Sequence, residues 1–285
     1  MTYKNVFVHV NGVNSSSVIE TTVDLISLFS SKLIFCHMSI DARNSIPLLG
    51  EGMSVSMIES MIEVTNVELT KRRNVAYHEF KIIKKILDER EHGSDDNPQV
   101  VWTEEVGHEE EIISRIGRLS DLLIFPKPDV HSEFSQTVAL NTALFGTGKP
   151  VLVIERALPI SAILENVVLS WNGSVESARA ISMSIPLIKN ARNVHVFVAG
   201  NSTKTKVSTI ELLKYLKQHE IKCVTEQWVQ SRKSVGSELL KHAKGIDASL
   251  IVMGAYTQNR FQKLILGGVT EYVLQNTKIP IFLVH

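Results

Sequence analysis

Cysteine is nearly absent from this chain: Cys36 and Cys223 are the two among 285 residues. They lie far apart, each in or beside an apolar segment, which excludes a disulfide framework and leaves reduced, buried thiols as the expectation. Net charge is lacking as well, with 30 basic and 30 acidic residues. That balance removes any general electrostatic case for nucleic acid or an anionic membrane as partner. No apolar run reaches the roughly 20 residues of a membrane span. The chain enters a strand-like run at Val6 without a signal-peptide pattern, so the cytoplasm is the expected compartment. Metal-site spacing is missing too: the 10 histidines include no pair at helical ligand spacing. Cys36 and His37, adjacent on a strand, should face opposite ways. No Ser, His and Asp stand at a recognisable triad spacing, and Ser15 and Ser174 read as helix caps.

What the chain does have is a unit written twice. Asn5-Val6-Phe7-Val8-His9-Val10-Asn11-Gly12 has a counterpart in Asn166-Val167-Val168-Leu169-Ser170-Trp171-Asn172-Gly173. Each is a strand pattern closed by Asn-Gly and followed by a helical run, over 17–28 and 176–188. Second strands follow at 32–37 and 193–198, third strands at 99–103 and 222–228. Asp121-Leu122-Leu123-Ile124-Phe125 matches Ala248-Ser249-Leu250-Ile251-Val252-Met253, and both halves end on a Pro-led apolar strand, at Pro150 and Pro280. Near-continuous apolar strands alternating with helices predict an α/β fold. The expectation is two tandem doubly wound domains, 1–157 and 161–285, each with a five-stranded parallel sheet, right-handed crossovers and helices on both faces.

The halves differ in two places. The first carries a helical insertion at about 42–91. In it Met57, Met61, Val64, Val67 and Thr70 recur at spacings of three and four, a stripe that reads as core, with partner docking as its rival. Lys71-Arg72-Arg73 and the acidic residues Glu104, Glu105 and Glu109 to Glu111 read as solvated surface. The second difference is a glycine-bearing loop confined to the second half: Met253-Gly254-Ala255-Tyr256-Thr257, nine residues, then Gly267-Gly268-Val269-Thr270. A strand, such a loop and a helix N-terminus together aim backbone N–H groups at an anion. No Gly-Lys-Ser/Thr is present, so it is not a Walker loop.

This spacing resembles the phosphate loop of the universal stress protein family: glycine, two residues, glycine, nine residues, glycine and a small hydroxyl residue. Gly254 and Gly267 match the first and third glycines. Thr257 stands for the second, and Gly268 for the hydroxyl residue. In tandem form the resemblance covers most of the chain. It implies an adenine-nucleotide pocket in members that keep the motif, and pairing of domains, here as a pseudo-dimer within one chain or between two chains. Asn172 matches the acidic residue that often ends the family's first strand. A β-branched Thr257 at positive φ would strain the loop by about 1–3 kcal/mol.

Ligands in open parallel sheets sit at the carboxyl ends of strands. The candidate site is therefore Trp171, Asn172, Phe197, Val198, Ala199, Trp228, Met253 and Gly254, with Thr257, Gln258, Asn259, Arg260, Gly267, Gly268, Val269 and Thr270 around the phosphates. The expected ligand is ATP or a related adenine nucleotide, with or without Mg2+. The expected role is stress response through a nucleotide-dependent protein partner, with hydrolysis at most slow. Two rivals stand beside it. One is a scaffold stress protein with a vestigial pocket, its glycines kept for strand–helix packing. The other is an enzyme acting on a nucleotide, which lacks an evident base or nucleophile. The first half follows its fourth strand with Pro126-Lys127-Pro128, which lacks the N–H groups for an anion nest and is expected not to bind nucleotide.

Overall fold

The computed structural model describes residues 2–10, 12, 15–41, 54–90, 99–128, 134–198, 208–227, 234–255 and 268–285. These residues form ten strands: β1 (Asn5–Val10), β2 (Lys32–Ser39), β3 (Val100–Val106), β4 (Leu122–Pro126), β5 (Val151–Ile154), β6 (Asn166–Trp171), β7 (Asn193–Val198), β8 (Cys223–Gln227), β9 (Leu250–Gly254) and β10 (Ile281–Val284). They make one sheet in the order β3-β2-β1-β4-β5-β10-β9-β6-β7-β8. Within β1–β5 and within β6–β10 every pairing is parallel. The two sets meet at β5 and β10, which run antiparallel with Phe282 opposite Leu152. The order in one half is the reverse of the other, so the repeat seen in the sequence becomes a pseudo-two-fold about that junction.

Among the described residues nine α-helices cover the sheet: α1 (Ile19–Phe29), α2 (Val55–Arg90), α3 (Glu109–Gly117), α4 (Phe134–Thr147), α5 (Ile160–Ile163), α6 (Val175–Ile188), α7 (Thr209–Gln218), α8 (Val235–Gly245) and α9 (Gly268–Asn276). Alternating strand residues feed two cores. Val8, Leu169 and Val252 face α1, α2, α6 and α7. Phe7, Val168 and Ile251 face α3, α4, α8 and α9. Strands buried on both faces explain why these segments read as unbroken apolar runs rather than as alternation.

Of the expected caps, Ser174 is in place, and Ser208 adds one the sequence reading did not name. Ser174 Oγ accepts from Ser177 N–H at 3.2 Å, and Ser208 with Glu211 forms a reciprocal capping box on α7. Ser15 opens a short 3-10 turn (Ser15–Val18), and its side chain lies outside the described residues. Cys36 sits in the second core while His37 stacks on Trp102 at 6.1 Å on the other side, as alternation requires. Burial pushes the Cys36 thiol up to about 12 and the Cys223 thiol up to about 11. Both remain protonated and inert at neutral pH. No described helix is long and apolar enough to cross a membrane.

The insertion forms a helix of 36 residues, α2, which is the crossover from β2 to β3. Its counterpart in the second half, α7, has 10 residues. Here one expectation is corrected. Met57, Met61, Val64 and Val67 are not core: they are 53%, 38%, 70% and 65% exposed. Thr70 is exposed too. The stripe that packs is a different one, Ala76, Phe80, Ile83 and Leu87, and it begins past the midpoint of the helix. A spacing of three and four identifies a face but not which face meets the sheet.

Several polar contacts tie the halves together. Tyr3 donates its hydroxyl to Met183 O at 2.6 Å, and burial raises its ionisation well above the ordinary range. Lys127 reaches Glu155 at 2.8 Å and donates to Thr277 O beyond the end of α9. Asp24 accepts from Ile160 N–H at 3.0 Å, at the start of α5.

Candidate functional site

The switch in strand order falls between β6 and β9, and the site is built on their carboxyl ends. Strand β6 delivers Trp171, and β7 brings Val198 beside it in register. Strand β9 ends on Met253 and Gly254. All these side chains arrive at one rim of the sheet, but alternation divides them. Trp171 and Val198 belong to the core under α6 and α7, whereas Phe197 and Met253 belong to the core under α8 and α9. All four are buried. A ligand at the rim would meet both pairs only from the strand ends.

Asn172 follows β6 and accepts the Ser174 N–H on its Oδ1 at 3.1 Å. This Asx turn, with Gly173 at φ +71, swings the chain into α6. An asparagine without charge does this as well as a carboxylate would. Gly254 faces the same helix start. A Cβ there would lie 2.6 Å from the Glu176 carbonyl carbon and 2.6 Å from the Ser177 nitrogen. The α6 N-terminal turn therefore rests directly on the end of β9, and only glycine permits that approach. Ala255 continues the pairing, donating its N–H to Val284 O at 2.8 Å.

Helix α9 opens at Gly268. Gly268 and Val269 are exposed, Thr270 is buried, and a Cβ on Gly268 would meet nothing within 4 Å. Gly236 of α8 packs on Tyr272 of α9, so these two helix starts lie side by side. Ala199, Trp228, Thr257, Gln258, Asn259, Arg260 and Gly267 lie outside the described residues.

Two features escaped the sequence reading. Glu238 and His242 are buried one turn apart on α8, with the His242 ring 5.5 Å from Phe197. Their i, i+4 spacing on the Leu239–Ala243 face was the available signal. In the first half, Glu109 is not a solvated residue of an acidic run. Its carboxylate lies 2.6 Å from Nε2 of buried His9, whose ring stacks on Phe125 at 4.7 Å. Glu104 is exposed as expected, and it takes Arg73 at 2.6 Å and the Trp102 N–H at 2.7 Å, the Arg73 hydrogen bond holding its carboxyl below the usual range. The His9–Glu109 and Arg73–Glu104 contacts join residues distant in sequence, which composition cannot reveal.

The first-half counterpart of the Asn172–Gly173 turn is occupied. Gly12, at φ +74, is so close to α2 that a Cβ would lie 2.3 Å from Arg72 O. The long crossover helix thus runs over the turn after β1.

Residues 166–285 match the model of the universal stress protein family. No curated protein sequence is significantly similar. Among solved structures, a universal stress protein from Archaeoglobus fulgidus matches with a TM-score of 0.66 at 12% identity, covering 99% of this chain and 96% of that one. A putative universal stress protein from Pseudomonas aeruginosa matches at 0.61 and 12% identity, over 99% and 93%. At such identity the likeness speaks to fold alone, and it extends over both halves. Residues 166–285 are a universal stress protein domain, joined to a first half of the same doubly wound fold in a tandem chain.

Proposed function

We propose that the chain binds ATP or a related adenine nucleotide, with or without Mg2+, in its second half. The observation that carries this reading is the rim of β6 and β9. There the strand order reverses, β9 ends at Gly254 and α9 opens at an exposed Gly268, the two ends of the glycine motif read in the sequence. The helix dipole and the first-turn N–H groups, which have no partner within a helix, favour a phosphate. Trp171, Asn172, Phe197, Val198 and Met253 stand at the strand ends for the nucleoside, and 256–267 supply the connecting loop. In this reading the functional units are 1–157 and 161–285, and the first is silent towards nucleotide, because Arg72 covers its Gly12 turn and Pro126 and Pro128 remove donors. The chain acts in the cytoplasm as a stress-response switch: nucleotide orders the loop and alters a surface read by a protein partner. It is not a rapid enzyme.

A second reading has one observation in its favour. Gly254 is demanded by the contact with α6 whether or not a ligand binds, as expected of a scaffold with a vestigial pocket. Calorimetric titration of nucleotide-stripped protein with ATP and Mg2+, with GTP as control, separates the two. The expected result is saturable ATP binding near one per chain, abolished by Gly267→Val in a protein that still folds. No binding in the millimolar range, or equal affinity in the variant, overturns the proposal in favour of the scaffold.

A further inference from the structure

The outward face of α2 is a feature that the nucleotide reading leaves unused. No residue of the helix before Ala76 is buried. Along this face Met57, Met61 and Val64 lead into Glu68 and Lys71, and then into Val75, His78 and Ile82. The intervals alternate four, three, four, three throughout. That is a heptad seam, with Met61, Glu68, Val75 and Ile82 at one core position and Met57, Val64, Lys71 and His78 at the other. It is distinct from the stripe that binds the sheet. Val75 and Ile82 remain 41% and 37% exposed although their neighbours Ala76 and Ile83 are fully buried.

We infer that this seam is a self-association surface on which α2 of a second copy lies antiparallel. The seam is complementary to its own reverse. A two-fold axis between Leu69 and Thr70 brings Glu68 opposite Lys71 of the other copy, twice. The same axis sets Val64 against Val75, Met61 against His78 and Met57 against Ile82. A parallel pairing would instead put Glu68 against Glu68 and Lys71 against Lys71 at the centre, where like charges repel. The central charges therefore choose both the partner and its direction. Glu68 already holds Arg72 at 3.1 Å, yet its side chain stays half exposed and can accept a second cation. The seam from Met57 to Ile82 is about 38 Å long at ~1.5 Å per residue. Val67, 65% exposed, borders it. The short α7 offers nothing equivalent in the second half, so the surface belongs to the elongated crossover alone.

Sedimentation equilibrium of the full chain tests this. The wild-type protein should be a two-chain species. Glu68→Lys, which faces lysine with lysine at both symmetry-related contacts, should raise the dissociation constant about tenfold or more. The double variant Glu68→Lys with Lys71→Glu should restore it, with circular dichroism confirming an intact helix in each. A monomeric wild type, a dimer indifferent to Glu68→Lys, or a charge swap that fails to restore association overturns the inference. Direction is read separately by oxidation, in a Cys223→Ser background. A mixture of Val64→Cys and Val75→Cys proteins should form a disulfide-linked dimer. Val64→Cys alone linking as readily would mean a parallel pair and would also overturn it.

Discussion

At the scale of single residues, three glycines that look alike in sequence do different work. Gly12 and Gly254 admit another segment's backbone so closely that an added Cβ would lie 2.3 Å from Arg72 O and 2.6 Å from Ser177 N respectively. Gly268 faces open space. Gly254→Ala should therefore destabilise the protein by about 1–3 kcal/mol through overpacking against α6. Gly268→Ala should stay within about 0.5 kcal/mol. Denaturant titration of both variants checks the contrast, and equal effects would show that the α6 contact is not tight. The motif spacing made all three glycines legible as special positions. It could not say which was close to backbone, because the neighbours, Arg72 and Ser177, come from elsewhere in the chain.

At the scale of elements, the second half followed its pattern closely, with Ser174, Ser208 and Ser234 all acting as N-caps. Local chemistry decides a helix start, so local sequence reveals it. Helix α2 shows the opposite case. Its existence and approximate extent were legible, but its packed face was not, since two apolar stripes run along it and only the sheet chooses between them. The loop after β4 gives a related lesson. Its prolines lack the N–H groups an anion nest needs, and the lysine between them carries a structural role. Lys127 is largely buried between Glu155 and the Thr277 carbonyl. Lys127→Ala should cost about 1–3 kcal/mol, since it removes the donor to the Thr277 carbonyl and leaves the partly solvated Glu155 with only the exposed Lys278, 3.9 Å away. Thermal or denaturant unfolding measures this, and a loss below about 0.5 kcal/mol would place the contact among weak surface pairs.

At the scale of the whole molecule, the tandem repeat becomes one ten-stranded sheet because β5 and β10 pair. Each half by itself would present one of these strands as a bare edge. A fragment of residues 161–285 should therefore self-associate through Ile281–Val284, replacing the pseudo-two-fold with a true one. Light scattering after size exclusion reads this directly. A fragment that stays monomeric would show that β10 needs no partner. Tyr3 on Met183 and Phe145 on His285, whose ring centroids are 4.6 Å apart, add contacts across the same boundary.

The sequence by itself determined the strands, most helix starts, the duplication and the single glycine loop. These depend on short-range pattern: apolar runs, caps and turn residues act over a few neighbours. Tertiary structure alone decided which stripe of α2 is buried, that Arg72 closes the turn at Gly12, that His9 meets Glu109, and that two sheets are one. Each of those joins segments tens to hundreds of residues apart. Such contacts depend on the shape of the folded chain, which a local pattern of spacing does not contain.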